Sequence, residues 1–150
     1  MNRKHLLFAA GLSLAACVTP AADSPRSASS PTVTDAPSRT YAQNYKDMAL
    51  AFCVSKAYQA EPRAHADAIA TAGGLDTWTR YDLENSTGEI PKLVERFLAR
   101  QYSSKQGPET RLDLLKCLDM YHSSELAALV KKHVLQPTRT YKQDNPSAQR

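Results

Sequence analysis

The sequence predicts an all-α fold, a small bundle of about five to six helices with one disulfide. Three observations lead there. Beyond residue 40 the apolar residues recur at helical spacing, no alternating run is long enough for a convincing strand, and β-branched residues are few. Glycines and prolines close the periodic stretches where helices must stop. Two cysteines, Cys53 and Cys117, fall on apolar faces of two of the expected helices. The folded unit, residues 41–150, has about 110 residues, enough for one compact domain, and shows no internal repeat.

The first helix is expected over Tyr41 to Tyr58. Tyr41, Tyr45, Met48, Ala49, Phe52 and Cys53 repeat at helical spacing, and Leu50 and Val54 widen the apolar arc, so this helix should sit centrally. It must end before Pro62, because a proline inside a helix removes a hydrogen bond and clashes with the preceding turn. Ala64 to Ala72 then reads as a small-residue helix stopped by Gly73 and Gly74. A short helix around Asp76 to Leu83 carries Trp78 and Tyr81, both expected in the core. The polar run Glu84 to Glu89 reads as a turn that delivers Pro91 into the first turn of the next helix.

That helix should reach about Tyr102, with Leu93, Val94, Phe97, Leu98 and Tyr102 on one side. Ser103 to Pro108 forms a loop, and Thr110 caps a helix over Arg111 to Tyr121 whose Leu114, Leu115, Cys117, Leu118 and Tyr121 face inward. Ser123 or Ser124 caps a last helix carrying Leu126, Leu129, Val130 and Val134, with Lys131, Lys132 and His133 at its negative dipole end. The tail from Gln136 holds two prolines and is expected to be irregular.

The segment ahead of this domain gives an address. Arg3 and Lys4 precede an apolar run, Leu6 to Ala16, that is too short to span a bilayer, so residues 1–16 read as an export signal. Leu14-Ala15-Ala16-Cys17 has the form of a bacterial lipobox, whose cysteine is lipidated and becomes the mature N-terminus. Val18 in place of an aspartate favours sorting to the outer membrane. Residues 17–40, with Pro20, Pro25, Pro31 and Pro37 among Ser, Thr and Ala, read as a disordered tether between lipid and domain.

Lipidation of Cys17 leaves Cys53 and Cys117 as an even pair in an oxidising compartment, where they should be joined. A loop of that length adds about 4 kcal/mol on the chain-entropy model. The formal net charge of +4 includes the two basic signal residues, so the mature chain carries about +2, too little to suggest nucleic acid. No Cys-x-x-Cys, His-Glu-x-x-His or clustered His/carboxylate set is present, so no metal or cofactor is expected. Cys117 and His122 are five apart, on different helical faces, which argues against a nucleophile and its base. Asp119 and His122 share a face and are read as helix-end hydrogen-bonding groups. No catalytic residue is assigned.

Asn44-Tyr45-Lys46-Asp47-Met48-Ala49-Leu50-Ala51-Phe52-Cys53 and Lys116-Cys117-Leu118-Asp119-Met120-Tyr121-His122-Ser123-Ser124-Glu125-Leu126 resemble the two cysteine helices of the fourth family of type VI secretion amidase immunity proteins. The resemblance continues through Phe97 to Tyr102 and Thr140 to Pro146. It implies a periplasmic helical domain that forms a homodimer and occludes the active site of a secreted peptidoglycan amidase, a papain-like cysteine peptidase. It implies an inhibitor, not an enzyme. A lipobox and long tether depart from the ordinary cleavable signals of that family.

Occluding a cleft calls for a rigid, exposed protrusion. Two loops are candidates for partner binding: Glu84, Asn85, Ser86, Thr87, Gly88 and Glu89, and Ser103, Ser104, Lys105 and Gln106. An alternative reading of the same tether and helices is an envelope lipoprotein serving as a structural or assembly adaptor. A third, a small hydrolase, lacks a convergent nucleophile and base.

Overall fold

The computed structural model describes residues 34–105, 107 and 110–149. The expected export signal, the expected lipidation site Cys17 and the part of the expected tether up to residue 33 lie outside the described residues, as does Gln106. Helices α1 (Tyr41–Ala57), α2 (Pro62–Thr77), α3 (Leu83–Ser86), α4 (Glu89–Leu98), α5 (Asp113–Tyr121), α6 (Ser124–His133) and α7 (Tyr141–Asp144) follow one another, with 3-10 turns at Ala36–Ser38 and Pro146–Gln149. Only isolated bridges, and no strand, occur among the described residues. The all-α expectation therefore holds, with five helices of nine residues or more and two single turns.

Helix α1 is central, packed against α2, α4, α5 and α6. Tyr41, Tyr45, Ala49 and Cys53 form its fully buried stripe, meeting Leu93, Val94 and Phe97 of α4, Met120 of α5 and Leu126 of α6. Cys53 and Cys117 are joined in a disulfide that links α1 to α5 across 64 residues, as expected.

Thr40 begins α1 with a reciprocal capping box: its hydroxyl accepts from the Gln43 N–H, and the Gln43 side chain accepts from the Thr40 N–H. The tail was expected to be irregular, but Thr140 and Gln143 build the same box at the start of α7. Arg-Thr-Tyr-x-Gln thus occurs twice, at 39–43 and 139–143. The two copies meet at an antiparallel bridge between Thr40 and Thr140. There the Tyr41 and Ala42 N–H groups, free donors of the first turn of α1, bond to Arg139 O and Pro137 O.

Residues 34–40 were expected to belong to a tether but are ordered against the domain. Residues 34–40 fold onto α1: Pro37 suits the first turn of a 3-10 helix, and Ala36 is buried. The Asn44 side-chain amide donates to Ala36 O and Trp78 O, pinning this turn and the end of α2 to α1.

Helix α2 runs through Gly73 and Gly74 to Thr77 instead of stopping at them, because packing along α1 overrides the weak helix propensity of glycine. No helix spans Asp76 to Leu83. Instead Tyr81 bridges Val134, with Asp82 N–H donating to His133 O and Leu135 N–H to Arg80 O, a pairing that suits the aromatic and β-branched residues there. Helix α4 stops at Leu98, not Tyr102. The Lys116 ammonium donates to Leu98 O at 3.2 Å, satisfying a terminal carbonyl.

Helix α5 starts at Asp113 behind Leu112 in a left-handed conformation, φ 54°, so Thr110 is not its cap. Its buried face is Asp113, Lys116, Cys117 and Met120. Leu114, Leu115 and Leu118, expected inside, are 47 %, 43 % and 39 % exposed. Lys116 can occupy the inner face because its ammonium meets Asp113 Oδ1 at 2.9 Å while Arg111 meets Oδ2, so the charge is not buried alone. Ser123 caps α6 as expected, accepting from Leu126 N–H.

Candidate functional site

The segment Glu84 to Glu89 was read as a turn and is a capped, single-turn helix leading into α4. Asp82 starts it: its carboxylate accepts from Asn85 N–H at 3.1 Å and from Asn85 Nδ2 at 2.6 Å. The Asn85 side-chain bond, then the backbone one, hold the Asp82 carboxyl below the usual range. The Thr87 hydroxyl donates back to Leu83 O at 2.8 Å, and Ser86 is buried. Gly88, at φ 80°, turns the chain into α4 in a conformation costly for any residue with a Cβ. Glu84, Asn85 and Thr87 remain exposed on this rigid turn, while Glu89 is half-buried. Leu83 beside them is 65 % exposed. The sequence reading missed it, although a large apolar residue entering a polar run was its visible signal.

The turn forms one wall of a groove of about 340 Å³. Tyr45, Met48 and Phe52 of α1 line it, with Ala72, Gly73 and Asp76 of α2, Leu83 and Ser86 to Gly88 of the turn, and Ile90 and Pro91 of α4. Tyr81 stands edge-on to Tyr45 at 5.3 Å, and its hydroxyl donates to Asp76 Oδ1 at 2.5 Å. Burial pushes the Tyr45 hydroxyl up to about 12 and raises Tyr81 still further, so both stay neutral donors at physiological pH.

The second predicted loop follows the other end of α4. Ser103 and Lys105 are exposed and Ser104 is half-buried. The two loops flank α4, a helix of ten residues about 15 Å long.

A further exposed surface was missed altogether. Leu114, Leu115 and Leu118 line a broad groove of about 690 Å³ with Ala57 and Tyr58 from the end of α1. Three leucines at spacings of one and four were the signal, but the sequence pattern placed them inside.

Cys117 is consumed by the disulfide. Asp119 accepts from the Tyr102 hydroxyl at 2.5 Å, and exposed His122 stands edge-on to Tyr121. Among the described residues no group of three or more His, Cys, Asp or Glu is placed to hold a metal ion, and no helix is long and apolar enough to cross a membrane.

Comparison with known proteins gives a consistent picture. A family model described as Tai4, type VI secretion system amidase immunity protein, matches residues 43–130. A chain solved in work on new type VI-secreted toxins and self-resistance proteins in Serratia marcescens is 26 % identical with a TM-score of 0.69, covering 80 % of this chain and 99 % of that one. A chain from the effector–immunity system Tae4/Tai4 of Salmonella typhimurium is 22 % identical with a TM-score of 0.61, covering 67 % and 96 % respectively. At that identity the likeness is one of fold. No curated protein matches the chain.

Proposed function

The chain belongs to the Tai4 family of type VI secretion amidase immunity proteins, and from that membership we propose that it binds a peptidoglycan amidase delivered to the periplasm and inhibits it by occluding the active site. The observation that supports occlusion is the turn Leu83 to Gly88. Capped by Asp82 and locked by Thr87 and Gly88, it presents Glu84, Asn85 and Thr87 on a rigid backbone, so little ordering entropy is lost when it enters a cleft. On this reading the protein acts as an inhibitor and not as an enzyme.

The same reading places the domain in the periplasm, held to a membrane by lipid on Cys17. It also makes the domain a homodimer, and the α5 face of Leu114, Leu115 and Leu118 offers the surface. If two copies of α5 pack antiparallel about Leu115, Leu118 meets the other copy's Leu112, and Arg111 meets Asp119, a self-complementary arrangement. Size-exclusion chromatography with light scattering tests this, with Leu114→Glu and Leu118→Glu expected to give monomers.

The deciding experiment is titration of the amidase from the same strain with the mature domain, following cleavage of peptidoglycan stem peptides. Stoichiometric loss of activity supports the reading. An amidase fully active in excess domain overturns it in favour of the envelope adaptor.

A further inference from the structure

We propose that the groove between α1, α2 and the Leu83 to Gly88 turn receives a cationic side chain, lysine or arginine, from the partner amidase, so that the interface is reciprocal: this chain offers a turn and takes in a side chain beside it. The inference rests on the immunity reading and deepens it.

Three observations carry it. Gly73 lies inside α2, where glycine is less stable than alanine, yet a Cβ built there meets nothing within 4 Å. No packing within the domain needs that glycine, and the space it leaves opens into the groove. An occupant from outside can approach the backbone closely there, since glycine carries no side chain.

The floor residue Tyr45 is fully buried, and its hydroxyl has no hydrogen-bond partner. A buried hydroxyl left unpaired is costly, and a cationic N–H in the groove can fill the acceptor site of its oxygen.

Charge selects the occupant. Asp76 contributes a carboxylate to the wall, and none of the lining residues is basic. Tyr81 occupies Asp76 Oδ1, and Oδ2 carries no hydrogen bond among the described residues. The remaining walls, Met48 and Ile90 among them, suit the methylene stem of a lysine or arginine whose charged head reaches Asp76.

The test measures affinity of the mature domain for the amidase of the same strain by calorimetry, alongside thermal melting of each variant. Gly73→Leu fills the groove while improving helix propensity. It should weaken binding at least tenfold while melting no lower than wild type. Asp76→Asn keeps an acceptor for Tyr81 but removes the charge, and should also weaken binding at least tenfold and flatten its dependence on salt. Gly74→Ala, whose Cβ faces Trp78 at an ordinary 3.7 Å, is the control and should bind as wild type does. Gly73→Leu and Asp76→Asn variants that both bind like wild type overturn the groove assignment and leave the immunity reading standing. A wild-type domain that binds no amidase overturns both.

Discussion

The hydroxyl of Tyr41 donates to Asp144 Oδ2 at 2.8 Å across 103 residues, tying the first residue of α1 to the last residue of α7. Arg139 holds the other carboxylate oxygen, and Arg80 approaches Oδ2 at 3.5 Å. With the Thr40–Thr140 bridge, this makes the C-terminal tail a latch on the central helix.

The latch should respond to pH at both ends. Its bond to Arg139, then that to Tyr41, hold the Asp144 carboxyl below the usual range. The stability it adds is present above the unfolded value, near 4, and is lost as pH falls through the folded value. Burial, then the Asp144 bond, push the Tyr41 hydroxyl from 10.0 up to about 12. That contribution is full below pH 10 and is lost as pH rises through the folded value. Tyr41→Phe should cost about 1–2 kcal/mol and remove Tyr41's share of the alkaline limb. Amide exchange of residues 140–145 followed against pH checks both.

Removing the disulfide as Cys53→Ala with Cys117→Ala should lower stability by about 4 kcal/mol, less any strain or residual unfolded-state structure. Both sulfurs are fully buried, so a mild reductant should reach them only when the domain opens. Urea melts with and without reductant, with thiol counting over time, measure the two effects.

Core truncations should separate by burial, not by residue type. Phe97→Ala, at 1 % exposure, should cost about 3–5 kcal/mol through the cavity it leaves. Leu118→Ala, at 39 % exposure, should cost under about 1 kcal/mol in the monomer. Chemical denaturation at low protein concentration reads the difference, and raising the concentration shows whether Leu118 matters to self-association.

The turn before α4 should divide in the same way. Glu84→Arg is expected to weaken amidase inhibition at least tenfold with melting unchanged, because its side chain is exposed, while Asn85→Trp should weaken inhibition and also lower melting, because it removes the side-chain bond to the Asp82 cap. Gly88→Val should destabilise the domain by more than about 1 kcal/mol, since its φ of 80° is strained for a branched residue. Inhibition assays with circular dichroism as folding control distinguish the two. If Glu84→Arg and Asn85→Trp inhibit like wild type, the turn does not enter the cleft.

By itself the sequence determined the helical class, the central α1, the Ser123 cap and the Cys53–Cys117 pairing. Helical periodicity and a serine just before an apolar run are local signals, complete within a short window of chain, and the pairing follows by count once Cys17 is set aside as the expected lipidation site. It also placed Glu84 to Glu89 as an exposed polar segment ahead of Pro91. Tertiary structure alone decided what depended on distant partners. Helix α2 passes through two glycines because α1 lies along it, and Lys116 turns inward because Asp113 and the end of α4 receive its charge. That rotation exposes Leu114, Leu115 and Leu118, which a count of apolar residues assigns to the core. The groove arose in the same way. Tyr45, Gly73, Asp76 and Pro91 are separated by many residues, and only the packing of α1, α2 and α4 brings them to one wall, since shared space between helices leaves no trace in sequence spacing.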